Sequence, residues 1–232
     1  MKLIPKLKLS PALIRFAYNF VDVEASGETA LPSERIIEYS FIISKLAQAP
    51  KGKVLDVGCA ARINILPATL ALLGHEVWGI DIREFKFKWP DFHFHKKDIT
   101  AGTSFSDGFF DYVIAVSTLE HLGLGGRYGI SKDDLEADAR TLKEIKRILK
   151  PTQTGVLLVT LPYGKRKIVR NSHKVYDKAW LRELFDDWRI KLEKFYARNK
   201  DGYLEEVPEE KAARYENQTG EDAVAILELL PL

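Results

Sequence analysis

Residues 53–62 read KVLDVGCAAR and residues 76–82 read EVWGIDI. Each holds a short apolar, β-branched run of strand length that closes on an acid, and the first leaves its strand through a glycine. Between them Leu66, Leu70 and Leu73 recur at helical spacing, and Gly74 supplies the stop. Strand, helix, strand over so short a stretch is the unit from which parallel sheets are built.

The same alternation continues outward. Ser33 to Ala49 predicts a helix with Ile36, Ser40, Ile43 and Ala47 on one face, closed by Pro50 and Gly52. Downstream, Phe92 to Phe94 predicts a third strand, and FFDYVIAVS at 109–117 is apolar enough for a central strand covered on both faces. SKDDLEADARTLKEIKRILK at 131–150 predicts a long amphipathic helix. Ser131 and Asp134 open it as a capping box, and Leu135, Leu142, Ile145 and Leu149 share its face. GVLLVTLP at 155–162 is a fifth strand. Beyond Pro162 the pattern loosens into a helix at Lys178 to Phe185, a strand at Arg189 to Tyr196, a charged segment at 201–217 and a last strand, AVAILELL, at 223–230. The expectation is an α/β fold: a doubly wound, mostly parallel seven-stranded sheet with right-handed crossovers. The final pair of strands forms an antiparallel edge. A helical cap over residues 1–30 precedes a single domain over 31–232.

Composition narrows the function classes. Of 232 residues, 46% are hydrophobic and 29% charged, the balance of a globular chain. Lys and Arg number 35 against 33 Asp and Glu, and a net charge of +2 offers no broad field for a phosphate backbone. DNA is therefore not an expected partner, and RNA is disfavoured. No run approaches the roughly 18 apolar residues of a membrane span. The N-terminal MKLIPKLKLSPALIRFAYNF breaks its apolar stretch with charge and proline, unlike a secretory signal, so a cytoplasmic location is expected. The single cysteine excludes an internal disulfide.

In an open parallel sheet, ligands bind beyond the carboxyl ends of the strands. Asp56, Asp81 and Asp98 fall at or just past three successive strand ends, and three acids on one rim call for a donor-rich or cationic ligand. Gly58 permits close backbone approach, Ala60 is small enough to leave room over the turn, and Asp81 lies 23 residues beyond Gly58, the spacing at which an acid meets ribose hydroxyls. The turn has no GxGxxG, and an acid at Asp56 repels a pyrophosphate yet pairs with an ammonium, which argues against a dinucleotide.

These segments, VLDVGC, the acid of GIDI, the DI of KKDI, the FDYV strand and LKEIKRILKPTQTGVLLVTLP, resemble class I S-adenosylmethionine-dependent methyltransferases, a Rossmann-like fold, over roughly residues 35–162. The resemblance implies S-adenosylmethionine as cofactor, with Asp56, Gly58, Cys59 and Ala60 around its methionine part and Ser117 also at the cofactor. It implies Asp81 and Ile82 at the ribose and Asp98 and Ile99 at the adenine. Ala60 and Arg62 stand where glycines are common in that family. A second resemblance is narrower. STLEHLGLGGRYG at 117–129, PYG at 162–164 and NSHKVYD at 171–177 are similar to a methyltransferase subgroup with EHxGLGRYGD-type and NxHRxY-type segments, associated with polysaccharide and glycan genes. Here an extra glycine interrupts the former segment, and Ile130 replaces its acid.

His121, just past the fourth strand, is placed to accept a proton from a sugar hydroxyl, with Glu120 orienting it. His173 is the second candidate base. Glu120, His121 and His173 also form a possible imidazole and carboxylate metal set, but methyl transfer from a sulfonium requires no metal and none is expected. Cys59 reads as a small packing residue. Gly123, Gly125, Gly126 and Gly129 make a tight loop around Arg127 and Tyr128, which with Tyr163 and Tyr176 are the candidate acceptor-binding residues. The basic run KRK at 165–167 suits a phosphate-bearing acceptor such as a lipid-linked or nucleotide sugar, and through such a lipid a membrane surface. The expected activity is O-methyl transfer to a sugar hydroxyl. The alternatives are an RNA or other small-molecule methyltransferase and a non-catalytic cofactor-binding scaffold.

Overall fold

The structure, a computed structural model, describes residues 34–60, 65–85, 92–126, 133–151, 154–169, 172–217 and 222–232. Helix α1 (Arg35–Gln48) leads into strand β1 (Lys53–Val57), helix α2 (Leu66–Leu72), strand β2 (Glu76–Asp81) and strand β3 (Phe92–Lys96). A short 3-10 turn, Ile99–Ala101, precedes strand β4 (Tyr112–Val116), and another, Leu119–His121, follows it. Then come helix α3 (Ala137–Ile148), strand β5 (Val156–Pro162), the hairpin strands β6 (Lys167–Val169) and β7 (His173–Val175), and helix α4 (Lys178–Leu184). Strand β8 (Trp188–Arg198), strand β9 (Leu204–Val207), helix α5 (Glu209–Ala212) and strand β10 (Ala223–Pro231) complete the chain.

The main sheet has eight strands in the order β3-β2-β1-β4-β5-β10-β8-β9. β3, β2, β1, β4 and β5 pair in parallel. β10 is antiparallel to both β5 and β8, so β8 runs in the direction of the first five. The switch in strand order falls between β1 and β4, where ligands of such sheets bind.

Two-sided burial explains the unbroken apolar strands. Leu55, Val57, Trp78, Val113, Leu157 and Val159 pack on one face with Leu142, Ile145 and Ile148 of α3 and Leu181 of α4. Val54, Val77, Ile114 and Leu158 pack on the other with Ile42 and Leu46 of α1 and Leu66 and Leu70 of α2. Strand alternation therefore puts Asp56 on the face of α1, two residues past Val54, and Thr160 on the same face, two past Leu158.

Several expectations change. The sheet has eight strands, not seven, because β9 forms within the segment read as charged. Glu205 and Glu206 hide its strand pattern, while Lys194 bonds Glu206 at 2.7 Å across the pair. The edge is thus β9, and β10 lies inside the sheet. Helix α1 buries Glu38, Ile42 and Leu46, whereas of the expected face Ile36 and Ile43 are half-buried and Ser40 and Ala47 exposed. The buried face is invisible to a hydrophobicity count because its first member is a carboxylate. Helix α3 starts at Ala137 without a side-chain cap, Asp134 pairs with Arg140, and Leu135 is half exposed. The other expected strands, and α2 and α4, fall where the pattern places them, whereas the β6–β7 hairpin forms in a stretch read as loop. The N-terminal cap and Ser131 lie outside the described residues.

Candidate active site

A cavity of about 480 Å³ opens at the carboxyl ends of β1, β2 and β4. Its lining includes Asp56, Gly58, Asp81, Ile82, Asp98, Ile99, Ser117 and His121, so most of the residues expected at the cofactor meet in one place with one candidate base, while Cys59, Ala60 and Glu120 do not line it.

Gly58 turns the chain out of β1 at φ +79, a conformation that favours glycine, and its N–H donates to the Ile80 carbonyl at 2.9 Å. A Cβ there would stand 2.4 Å from Thr118 Oγ1. The Thr118 hydroxyl is shared between the carbonyls of Val57 (3.1 Å) and Val116 (3.0 Å), tying the ends of β1 and β4 together. The buried carboxylate of Asp56 faces this cavity at the end of β1. Cys59 is fully buried, and burial, reinforced by Asp56 and Asp81, pushes its thiol far above the ordinary range. It is a packing group, pressed against Gly79, where a Cβ would fall 2.6 Å from Sγ.

Asp81 is held from all sides. Its Oδ2 accepts the Ala60 N–H at 2.9 Å and Arg83 Nη2 at 2.8 Å. Its Oδ1 accepts the Arg83 N–H at 2.8 Å and Arg83 Nε at 3.0 Å. Asp98 caps the following 3-10 turn, its Oδ1 accepting from Thr100 N–H (2.9 Å) and Thr100 Oγ1 (2.8 Å).

His121 occupies the other end of the cavity. Its Nδ1 lies 2.7 Å from the Ser172 carbonyl oxygen. A carbonyl only accepts, so Nδ1 carries the proton and, in the neutral ring, Nε2 carries the lone pair. Nε2 is 3.7 Å from Oε1 of the fully buried Glu120. His173 starts strand β7 instead of lying in a loop; its ring centre is 6.4 Å from that of His121, and its Nδ1 meets Ser172 Oγ at 2.9 Å. It does not line the cavity. Nor do Tyr163 and Tyr176. Both are fully buried, with hydroxyls donating to Glu209 Oε1 (2.6 Å) and Asp138 Oδ2 (2.9 Å). Arg127 and Tyr128 lie outside the described residues. Gly123, at φ +72, leaves no room for a side chain, since a Cβ would meet the Asp134 carbonyl oxygen. The basic run is also elsewhere: Lys165 pairs with Glu216, and Arg166 lies 4.5 Å over the Trp180 ring.

Sequence reading missed Arg35, Tyr39, Arg83, Lys97 and Thr118, all on the cavity wall. It also missed Glu38 beneath it, which accepts 2.6 Å bonds from Ser117 Oγ and Thr160 Oγ1. Ser117 adopts φ +41, uncommon for a side-chain-bearing residue, and this network over-determines it. Only Arg83 had a local signal, two residues past the rim acid. Among the described residues no group of three or more His, Cys, Asp and Glu side chains is placed to share a metal ion, and no helix is long and apolar enough to cross a membrane.

A sheet with this strand order and a reversed strand beside β5 is also the fold of solved S-adenosylmethionine-dependent methyltransferases. Solved structures agree at the level of fold. The chain resembles 1,6-didemethyltoxoflavin-N1-methyltransferase of Burkholderia thailandensis, at a TM-score of 0.61 and 16% identity over 95% of this chain and 86% of that one. It resembles an S-adenosylmethionine-dependent methyltransferase of the DUF858 family from Leishmania major at 0.56 and 13%, over 84% and 72%. Residues 76–218 match the family described as "Caenorhabditis protein of unknown function, DUF268", and the chain belongs to that family. No curated protein matches it.

Proposed function

We propose that the protein is an S-adenosylmethionine-dependent methyltransferase that methylates a hydroxyl of a sugar, free or carried on a glycan, lipid or nucleotide. The carrying observation is a single cavity with Asp56, Asp81 and Asp98 toward one end and a tautomer-fixed histidine, His121, at the other. The donor set fits the cofactor. Asp56 suits an ammonium, Asp81 a vicinal diol and Asp98 an exocyclic amine, while Gly58 keeps the wall free of a side chain where the turn passes.

When bound, the cofactor supplies a sulfonium methyl group whose departure leaves a neutral thioether. The cavity walls hold the acceptor oxygen near that group, and alignment supplies most of the rate. A hydroxyl must lose its proton as its oxygen bonds to carbon, whereas a neutral amine attacks with a lone pair already available. A base is therefore expected for a hydroxyl acceptor, and His121 Nε2 is the group that takes the proton. Glu120, 3.7 Å away, steadies the charge the ring then carries. The glycan class of acceptor is supported by the segments at 117–129 and 171–177, which resemble those of the polysaccharide-associated subgroup.

Calorimetric titration with S-adenosylhomocysteine and NAD tests the cofactor. Binding of the thioether alone, weakened about 10- to 100-fold in Asp81→Ala, is expected. A folded protein purified without carried-through ligand that binds neither would point to a scaffold. Labelled methyl transfer to sugars, nucleotide sugars, lipid-linked sugars and RNA then ranks the acceptors, and label entering RNA alone would overturn the sugar assignment.

A further inference from the structure

In its neutral ring, His121 holds a lone pair on Nε2 only while Nδ1 keeps the proton, and the Ser172 carbonyl is what keeps it there. A free histidine side chain favours the opposite tautomer, so the place of that carbonyl matters. Ser172 directly precedes β7. The β6–β7 hairpin is a two-stranded sheet of its own, three residues on each strand, outside the eight-stranded sheet. Such a pair is marginal by itself and its register is weakly specified, so side chains must hold it.

Lys174, the middle residue of β7, is fully buried, which a lysine rarely is without a charge partner. Its Nζ donates to Asp138 Oδ2 at 2.8 Å and to the Leu135 carbonyl at 3.4 Å. The Tyr176 hydroxyl donates to the same Oδ2 at 2.9 Å. Two residues apart on extended chain, Lys174 and Tyr176 share a face and converge on one oxygen. Asp138 is itself buried in the first turn of α3, a helix packed on the main sheet through Leu142, Ile145 and Ile148. β7 also packs against the 3-10 turn that carries His121. A slip of one residue would turn both side chains away and strand the Asp138 carboxylate in the core, at a high cost. A buried ion pair adds little net stability over apolar residues of similar volume; what it can add is a single register.

We propose that Lys174, seconded by Tyr176, locks the register of β7 onto Asp138 and thereby holds the Ser172 carbonyl, two residues before Lys174, against His121 Nδ1. Lys174 does not line the cavity. It is a positioning residue that acts through the backbone of the hairpin and sets which ring nitrogen of His121 is available as base. Its effect on turnover rests on His121 as the base, the reading given above, whereas the lock itself does not.

Nuclear magnetic resonance of the histidine ring nitrogens in isotope-labelled protein, with His121 assigned by His121→Ala, reads the tautomer of the neutral ring at alkaline pH without any ligand. Wild type should carry the proton on Nδ1 alone; a proton on Nε2 would overturn the proposal. Lys174→Met by itself leaves Asp138 charged and unpaired, so the test variant combines Lys174→Met with Asp138→Asn, which removes both charges and keeps their volume. It should fold and bind S-adenosylhomocysteine within about twofold of wild type, while His121 shows both tautomers and labelled methyl transfer to the best sugar acceptor falls about 10- to 100-fold. If that variant does not fold, Tyr176→Phe, which removes one hydroxyl, should give the same two signs to a smaller degree. A pure Nδ1–H tautomer in the folded variant, whatever its turnover, would overturn the proposal. Mixed tautomers with transfer unchanged would support the lock and overturn His121 as the base.

Discussion

The two ends of the cavity are built on different principles. At the acidic end, Asp56, Asp81 and Asp98 sit at or just past strand ends, and the last two are gripped within two residues by their own local chain, through Arg83 and Thr100. At the other end, His121 rides on one 3-10 turn, and its ring is oriented by the carbonyl of Ser172, 51 residues away beside the β6–β7 hairpin. The difference teaches that the acidic half is as stiff as the sheet, whereas the histidine half is only as well placed as the packing of a small hairpin. A fold of this kind keeps its ligand grip while the acceptor chemistry is re-tuned by loops.

Separating the two ends is the sharpest way to break that contrast. His121→Ala should lower methyl transfer about 10²- to 10⁴-fold while the dissociation constant for S-adenosylhomocysteine stays within about twofold. Loss of binding in step with turnover would show that the ends are one unit. Gly58→Ala attacks the stiff end, where a Cβ would stand 2.4 Å from Thr118 Oγ1 at a positive φ. The backbone conformation alone costs about 1–2 kcal/mol. We expect S-adenosylhomocysteine binding to weaken about tenfold or more and thermal stability to fall; unchanged affinity would mean the turn yields easily.

The smallest effect concerns the clamp of Glu144 on Thr103 and Arg147. Glu144 accepts Arg147 Nη2 at 2.6 Å and the Thr103 N–H at 2.7 Å, and Arg147, foremost, holds its carboxyl down to about 2. A depressed carboxylate adds stability above the pKa of its unfolded form, and that contribution fades as pH falls toward about 2. Glu144→Gln should cost about 1–2 kcal/mol, some 3–6 °C in thermal midpoint. The gap to wild type should close in acid, and ligand affinity should not move. A gap independent of pH would assign the loss to packing.

How far the sequence reveals all this follows the same division. Leu55, Val57, Val113 and Leu157 announce their strands because burial on both faces demands apolar residues at every position, and the rim acids stand out against them. Glu38 runs the other way. A buried charge on α1 looks like a solvent-facing residue until Ser117, Thr160 and Arg35 are seen to meet it, and those contacts span up to 122 residues. Strand β9 was missed for a related reason, since an edge strand carries charge as a loop does. Tyr163 and Tyr176 show the converse: residues in a motif-like stretch that pattern assigns to a ligand, but whose hydroxyls the core consumes.

The grip of Arg83 on Asp81 carries a consequence in time and heat. Four donors already fill the carboxylate, so on the proposed reading a ribose could not simply add its hydroxyls; it would have to trade places with a guanidinium whose side chain is 38% exposed. On that reading cofactor arrival would be an exchange of one set of bonds for another. Its heat would then be the small remainder of two larger quantities, and its pace would follow the swing of a single long side chain.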